Sequence, residues 1–113
     1  MKTISIIIPV FNEALAIDKH LPIIFEKIQE IKDIQFKILA VDDGSTDNTV
    51  EKLKTLREQY QDFNFICLNR NFGKEAAIHA GLKQTDDDAV IVMDSDLQHP
   101  PALIPILDQS SFL

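Results

Sequence analysis

The chain has 113 residues, of which 45% are hydrophobic and 26% are charged, with 11 Lys and Arg against 18 Asp and Glu. This composition is typical of one globular domain and excludes a fibrous or low-complexity protein. The net charge of -7 opposes binding to nucleic acid, because affinity for a phosphate backbone comes largely from Lys and Arg. No apolar run approaches the roughly 18 residues needed to cross a bilayer, so no transmembrane segment is predicted.

The single cysteine, Cys67, lies in an apolar run, where we expect it to be buried as a small apolar side chain. One cysteine can form neither an intramolecular disulfide nor a multi-thiolate zinc site. The sequence therefore indicates a reducing, cytoplasmic environment.

Short apolar runs predict four β-strands, at residues 3–10, 36–41, 63–68 and 89–93. Helical periodicity between them predicts three helices, at residues 14–31, 50–60 and 74–84. Pro22 should bend the first helix or mark its first turn. The strand starts recur about every 26 to 33 residues, the repeat of a strand, a crossover helix and a parallel strand.

Strands that are apolar nearly throughout favour a parallel sheet covered on both faces. The sequence therefore predicts an α/β fold with a doubly wound, mainly parallel sheet. In such sheets, ligands bind beyond the carboxyl ends of the strands. The four loops expected at that edge are polar, and they comprise residues 11–13, 42–45, 69–74 and 94–96.

Asp94 and Asp96 follow the fourth predicted strand. Two carboxylates at this spacing suit Mg²⁺, which prefers oxygen ligands and completes its coordination with water and phosphate oxygens. Solvated turn residues are the alternative interpretation. The position at the sheet edge favours the metal site.

Asp42 and Asp43 end the second predicted strand, where adjacent like charges are costly unless a cation or a hydrogen-bond donor is present. A nucleobase N–H would be such a donor. The same segment could form a tight turn with Gly44 at positive φ, followed by a cap of the second helix. We expect Asp42 to bind a ligand, and Ser45 to Asp47 mainly to cap the helix.

Arg70, Gly73 and Lys74 lie where the third predicted helix begins. Free backbone N–H groups at a helix N-terminus, together with two cations, would bind a diphosphate. A solvated surface loop is the alternative. The three histidines have no common spacing and predict no shared site.

Taken in chain order, the four loops resemble those of the family 2 glycosyltransferases, which have the GT-A fold. The motifs that carry the resemblance are IIIPVFNE at residues 6–13, VDDGSTD at 41–47, RNFGK at 70–74 and MDSDLQHPP at 93–101. The last two are most similar to the polyprenyl-phosphate branch, which includes dolichol-phosphate mannosyltransferases and bactoprenol glucosyltransferases.

The resemblance implies a Rossmann-like half of a GT-A fold that binds a UDP- or GDP-linked sugar. It implies that the nucleotide pocket includes Pro9, Phe11, Glu13, Ala40 and Asp42. Phe11 would then lie beside the base, and Asp42 would accept a hydrogen bond from it.

The resemblance also implies a DXD-type metal site, in which Asp94, Asp96 and Gln98 hold Mg²⁺ or Mn²⁺ against the donor diphosphate. Asp94 and Asp96 would be the catalytic residues, and Ser95 would contact the donor. The implied reaction is inverting transfer of the sugar to a polyprenyl phosphate, as part of cell-envelope glycan synthesis. The enzyme would be cytoplasmic or peripheral to the inner face of the membrane.

Members of this family are much longer, so we expect residues 1–113 to form one nucleotide-sugar-binding domain that is incomplete at its C-terminus. After Pro101, the expected helix meets Pro105, and the end at residues 108–113 does not lead into another strand. A sheet edge exposed by a missing half could favour self-association. The main alternative is a non-catalytic fragment that binds nucleotide or metal.

Three other α/β families fit less well. A response-regulator receiver and a dehalogenase-like phosphatase both place their acidic motif after the first strand. A dinucleotide-binding domain has a glycine-rich motif there. In this chain that loop is FNEA, at residues 11–14.

Overall fold

The computed structural model of the protein describes residues 2–95 and the backbone of residues 104–106. The described strands are β1 (Lys2–Val10), β2 (Ile34–Asp42), β3 (Phe63–Cys67), β4 (Ala89–Val92) and β5 (Ile104–Ile106). The helices are α1 (Ala14–Gln29), α2 (Thr49–Gln59) and α3 (Lys74–Lys83). All seven predicted elements are confirmed. None of these helices is long and apolar enough to cross a membrane.

The strands form one sheet in the order β3-β2-β1-β4-β5. β1 lies at the centre, where Ile6 pairs with Ile38 on one side and with Ile91 on the other, and both pairings are parallel. The chain winds outward from β1 to β3 and then returns to place β4 on the other side of β1. The topological switch point, where ligands bind in doubly wound sheets, therefore lies between β1 and β4.

Both faces of the sheet are covered, as the apolar strands predict. Ile6 and Ile8 pack against α1 and α2 on one face, and Ile7 packs with Ala77 of α3 on the other. All three isoleucines are fully buried, and burial of each contributes about 1.5–3 kcal/mol. A Cβ at Gly81 would lie 2.8 Å from Cγ2 of Ile7, so the missing side chain lets α3 approach the sheet closely.

The two expectations about proline had different outcomes. Pro22 lies in the middle of α1, which begins at Ala14, so it does not mark the first turn, and the alternative, a bend in the helix, stays a prediction. The helix expected after Pro101 is not formed at residues 104–106, which pair antiparallel with β4 as an additional strand. Proline is tolerated in an edge strand, because an unpaired edge does not need its N–H group.

Cys67 is exposed, contrary to the expectation of burial. It is the last residue of β3, which pairs only with β2 among the described strands and is an edge strand there. Its remaining burial, together with the negative charge of Asp42, raises the pKa of the Cys67 thiol above its ordinary value.

A buried carboxylate, Asp87, closes the amino end of the sheet. It accepts a hydrogen bond from the hydroxyl of Ser5, and Nζ of Lys37 lies 3.5 Å from its Oδ1. Burial acts to raise the pKa of Asp87, but hydrogen bonds from Ser5 and Thr3 and the charge of Lys37 together lower it below its ordinary value. The ionised form of Asp87 therefore stabilises the fold.

Candidate functional site

A cleft of about 250 Å³ opens at the carboxyl ends of the strands, beside the switch point. Six of the predicted site residues line it: Pro9, Phe11, Glu13, Gly73, Lys74 and Asp94. Val10, Asp43 and Asn71 complete the lining. A larger groove of about 460 Å³ lies at the amino end of β2 and contains none of the predicted site residues.

Asn12 ties the loop after β1 to the loop after β2. Its Oδ1 accepts the backbone N–H of Thr46 at 2.7 Å and that of Asp47 at 3.2 Å, and its own N–H donates to Oγ of Ser45 at 2.8 Å. Asn12 has φ of 50°, in the left-handed region that Asn tolerates better than most residues. No role was predicted for Asn12 from the sequence, although the tolerance of Asn for the left-handed region was a usable signal.

The start of α2 is held by Asp47, as expected. Asp47 accepts hydrogen bonds from both the N–H and the hydroxyl of Thr49, the first residue of the helix. The hydrogen bond from the Thr49 hydroxyl lowers the pKa of Asp47. Ser45 does not cap α2, because its hydroxyl accepts the N–H of Asn12 instead.

Asp42 is buried, with only 2% of its surface exposed. Its Oδ2 accepts the N–H of Ser45 at 3.1 Å, whereas its Oδ1 is buried and has no hydrogen-bond partner among the described residues. A buried acceptor without a donor costs about 1–3 kcal/mol. Asp42 does not line the cleft, so a ligand donor that reaches Oδ1 must displace the atoms that cover it.

Asp43 fixes the loop that precedes α3. Its Oδ1 accepts the N–H of Phe72 at 2.8 Å, and its Oδ2 accepts the N–H of Gly73 at 3.0 Å. The N–H of Gly73 is therefore not available for a phosphate, contrary to the expectation for this residue. Asp43 was not among the predicted site residues, yet it lines the cleft and shapes its wall.

Gly44 has the predicted positive φ, of 79°. A Cβ at this position would lie 2.5 Å from the carbonyl carbon of Arg70 and 2.6 Å from the nitrogen of Asn71. Both are backbone atoms that cannot turn away. Glycine is required at this position by the conformation of the turn and also by the close approach of the 69–74 loop.

Lys74 and Asp94 face each other across the cleft. Their Nζ and Oδ1 atoms are 2.6 Å apart, and both side chains are more than half exposed. An exposed pair of this kind contributes about 0–1 kcal/mol, so a ligand can separate it at little cost.

Four of the predicted site residues within the described part of the chain do not line the cleft: Asp42, Ser95, Ala40 and Arg70. Ala40 is fully buried in the core, on the face covered by α1 and α2. Arg70 has its guanidinium carbon 5.7 Å from the ring centre of Phe72 and does not line the cleft.

Ser95 belongs to the acidic loop, residues 94–96, and is almost fully buried. Its hydroxyl donates to the carboxylate of Glu13, and its carbonyl oxygen lies 2.8 Å from Nδ1 of His20. The sequence did not predict a role for His20. It lies three residues after buried Ile17 and four before buried Ile24, which was a signal that its ring faces inward.

Asp96 and Gln98 lie outside the described residues, so the ligand set predicted for them with Asp94 stays a prediction. Within residues 2–95, no group of three or more His, Cys, Asp or Glu side chains could hold a metal ion. Asp94 nevertheless supplies an exposed carboxylate, the ligand type that Mg²⁺ and Mn²⁺ prefer. In this structure, the carboxylate of Asp94 already pairs with a cation, the ammonium group of Lys74.

Residues 5–108 match the family model described as glycosyl transferase family 2. The chain belongs to this family. It is 41% identical over 111 residues to an undecaprenyl-phosphate 4-deoxy-4-formamido-L-arabinose transferase of Pseudomonas syringae, and the match covers 95% of this chain and 32% of that protein. The chain thus spans about a third of the length of the curated relatives it matches.

Solved structures of glycosyltransferases share the fold. A mannosyltransferase from Pyrobaculum calidifontis, in complex with GDP-Man and Mn²⁺, is 25% identical with a TM-score of 0.73, over 86% of this chain and 28% of that chain. TarS 1-349 of S. aureus, in complex with UDP-GlcNAc, is 28% identical with a TM-score of 0.70, over 85% and 27% respectively. The predicted family and the α/β, GT-A type of fold are confirmed.

Proposed function

We propose that this chain is the donor-binding part of a glycosyltransferase that moves a sugar from a nucleoside diphosphate to a polyprenyl phosphate. The observation that carries the proposal is the composition of the cleft, which brings together residues from the loops after β1, β2, β3 and β4. The cleft lies at the switch point of a doubly wound sheet, where such folds bind nucleotides. The P. syringae relative is named as an undecaprenyl-phosphate sugar transferase, which supports the acceptor class.

Asp42 favours uracil as the base. Attached to ribose, uracil presents one ring N–H donor, whereas guanine presents a ring N–H and an amino group side by side, which match both oxygens of a carboxylate. Oδ2 of Asp42 already accepts the N–H of Ser45, and Oδ1 has no partner in the described part of the chain. One free oxygen suits the single donor of uracil.

Lys74 and Asp94 are placed to bind the donor diphosphate and a divalent cation. Asp94 would hold Mg²⁺ or Mn²⁺ together with Asp96 and Gln98, and Lys74, released from Asp94, would bind a diphosphate oxygen as a point charge. When bound, the divalent cation would offset the negative charge that develops on the leaving nucleoside diphosphate. Glu13 would hold the acidic loop through Ser95 and would not act as a base.

A polyprenyl phosphate needs no general base from the protein. A phosphate monoester has a second pKa near 6, so it is mostly dianionic at neutral pH. In direct displacement, a phosphate oxygen forms a bond to C1 of the sugar as the bond from C1 to the diphosphate oxygen breaks. The nucleoside diphosphate leaves and the configuration at C1 inverts. Because the acceptor is a lipid, transfer would take place at the membrane surface.

Calorimetric titration of UDP and GDP into the chain, with and without Mn²⁺, tests the donor site. We expect Mn²⁺-dependent binding, tighter for UDP than for GDP. Asp94→Asn should weaken it at least tenfold, because loss of even an outer-shell partner of a metal ligand costs about 10- to 100-fold. Asp86→Asn is the matched control, because it replaces an exposed carboxylate at the other end of the sheet. A folded wild-type chain that binds neither nucleotide with Mn²⁺ would refute the proposal.

A non-catalytic nucleotide-binding fragment is the second candidate, since the chain spans about a third of its curated relatives. A transfer assay with labelled UDP-sugars and undecaprenyl phosphate in detergent micelles separates the two. Binding together with transfer supports the enzyme, and binding without transfer supports the fragment.

A further inference from the structure

The hydroxyl group and the carbonyl oxygen of Ser95 both contact residues outside the acidic loop. The hydroxyl donates to Glu13, just before α1, and the carbonyl oxygen lies 2.8 Å from Nδ1 of His20, within α1. Ser95 itself is 1% exposed and follows Asp94 directly. Ser95 is therefore held at two points, by Glu13 and by His20 of α1.

We propose that His20 is a positioning residue for the metal-dependent donor site, an inference that rests on the proposed function. His20 does not line the cleft, so we assign it an indirect role, through its contact with the carbonyl of Ser95. A carbonyl oxygen accepts and cannot donate, so the Nδ1 atom of His20 carries the proton in this contact.

The contact controls the direction of the acidic loop. A peptide unit is planar, so fixing the carbonyl of Ser95 fixes the direction in which the chain leaves that residue. The predicted metal-binding carboxylates lie on either side of Ser95 in the sequence. Without the His20 contact, the Glu13 contact would still hold the Ser95 side chain and Lys74 would still pair with Asp94, but neither of these contacts fixes the Ser95 carbonyl.

Two variants of His20 distinguish the effect of its N–H donor from the effect of the volume of its ring. His20→Phe keeps a ring in the half-buried site but removes the donor. His20→Asn places an amide N–H donor close to the position of Nδ1, and its helix propensity is similar to that of His. His79→Phe, at an exposed position of α3, is the matched control for changing a helical histidine to phenylalanine.

Titration of UDP by calorimetry gives the decisive comparison. We expect His20→Phe to weaken Mn²⁺-dependent UDP binding about three- to tenfold, the factor that one hydrogen bond supplies. Binding by His20→Asn should stay within about twofold of wild type, and UDP binding without metal should be the same in all variants. A merely structural role would instead weaken both kinds of binding together.

The state of the His20 ring gives an independent readout. Nitrogen NMR at a pH where the ring is neutral should show the proton on Nδ1, and a proton on Nε2 would overturn the inference. Equal Mn²⁺-dependent UDP binding by wild type and a folded His20→Phe variant would overturn it as well. That outcome is distinct from failure of the proposed function, in which wild type itself binds no UDP with Mn²⁺.

Discussion

Asp43 joins the loop after β2 to the loop before α3 through two hydrogen bonds, and Asp43→Asn should remove one of them. The carboxylate is 4% exposed and accepts the N–H groups of Phe72 and Gly73, one on each oxygen. An Asn side chain keeps one acceptor oxygen and turns an amide N–H₂ toward the other backbone donor. One charge-assisted hydrogen bond is lost, which costs about 1.5–3 kcal/mol of unfolding free energy.

Urea denaturation measures this loss directly, and thermal denaturation should show a fall of about 6–12 °C, at about 4 °C per kcal/mol for a domain of this size. Hydrogen exchange at the amides of Phe72 and Gly73 should accelerate more than exchange in the core of β1. Asp86→Asn controls for the loss of one negative charge at an exposed position. If Asp43→Asn is as stable as this control and both amides stay protected, Asp43 does not hold the loop.

Two further substitutions test the turn and the amino end of the sheet. Gly44→Ala should destabilise the chain by about 1–3 kcal/mol, because φ is strongly positive and a Cβ would meet the backbone of Arg70 at 2.5 Å; urea denaturation measures it, and a loss below about 0.5 kcal/mol would contradict the close approach. Asp87→Asn should cost about 1–3 kcal/mol at neutral pH. Because the folded-state pKa of Asp87 is lowered, its contribution is complete above the ordinary pKa and is lost as pH falls through the folded-state value. The difference between wild type and Asp87→Asn in unfolding free energy should therefore shrink below about pH 4, and a constant difference would refute this role.

The first four strands could be predicted because a strand that is buried on both faces has a continuous apolar run in its sequence. Ile6, Ile7 and Ile8 face alternate sides of the sheet and are all fully buried, so the centre of β1 is a continuous apolar run. β5 could not be predicted in this way. Its three residues form a strand by pairing with β4, a non-local interaction that local propensity does not report.

The loops that form the site could also be predicted, because parallel strands bring their carboxyl ends to one edge. The hydrogen-bond partner of each polar side-chain atom could not be predicted. Asp42 and Asp43 are adjacent and identical, but Asp42 is the last residue of β2 and Asp43 is the first residue of the loop that follows, and their carboxylates have different partners. Asp42 therefore meets the loop toward α2, and Asp43 meets the loop before α3. Which of the two keeps a free oxygen depends on the three-dimensional path of both loops.

The contact between His20 and Ser95 illustrates the same limit over a longer range. The two residues are 75 positions apart in the chain, and helical periodicity shows only that the ring of His20 faces inward. The meeting point depends on how α1 crosses the sheet from β1 and on where β4 inserts beside it. Packing of the whole sheet sets that geometry.

The carboxylates at the carboxyl edge fall into two groups that differ in burial and in task. Asp43 is buried, and each of its oxygens accepts a backbone N–H group of the loop before α3, so its carboxylate serves to hold that loop. Asp94 is exposed and pairs with the exposed side chain of Lys74, which a diphosphate can draw away at little cost. Asp42 lies between these cases, with one oxygen committed to Ser45 and one without a partner in the described residues. We therefore expect a ligand to contact Asp94 first, and Asp42 only after the atoms that cover its Oδ1 have moved. The diphosphate of the donor should thus contribute to the binding affinity whichever base the nucleotide carries.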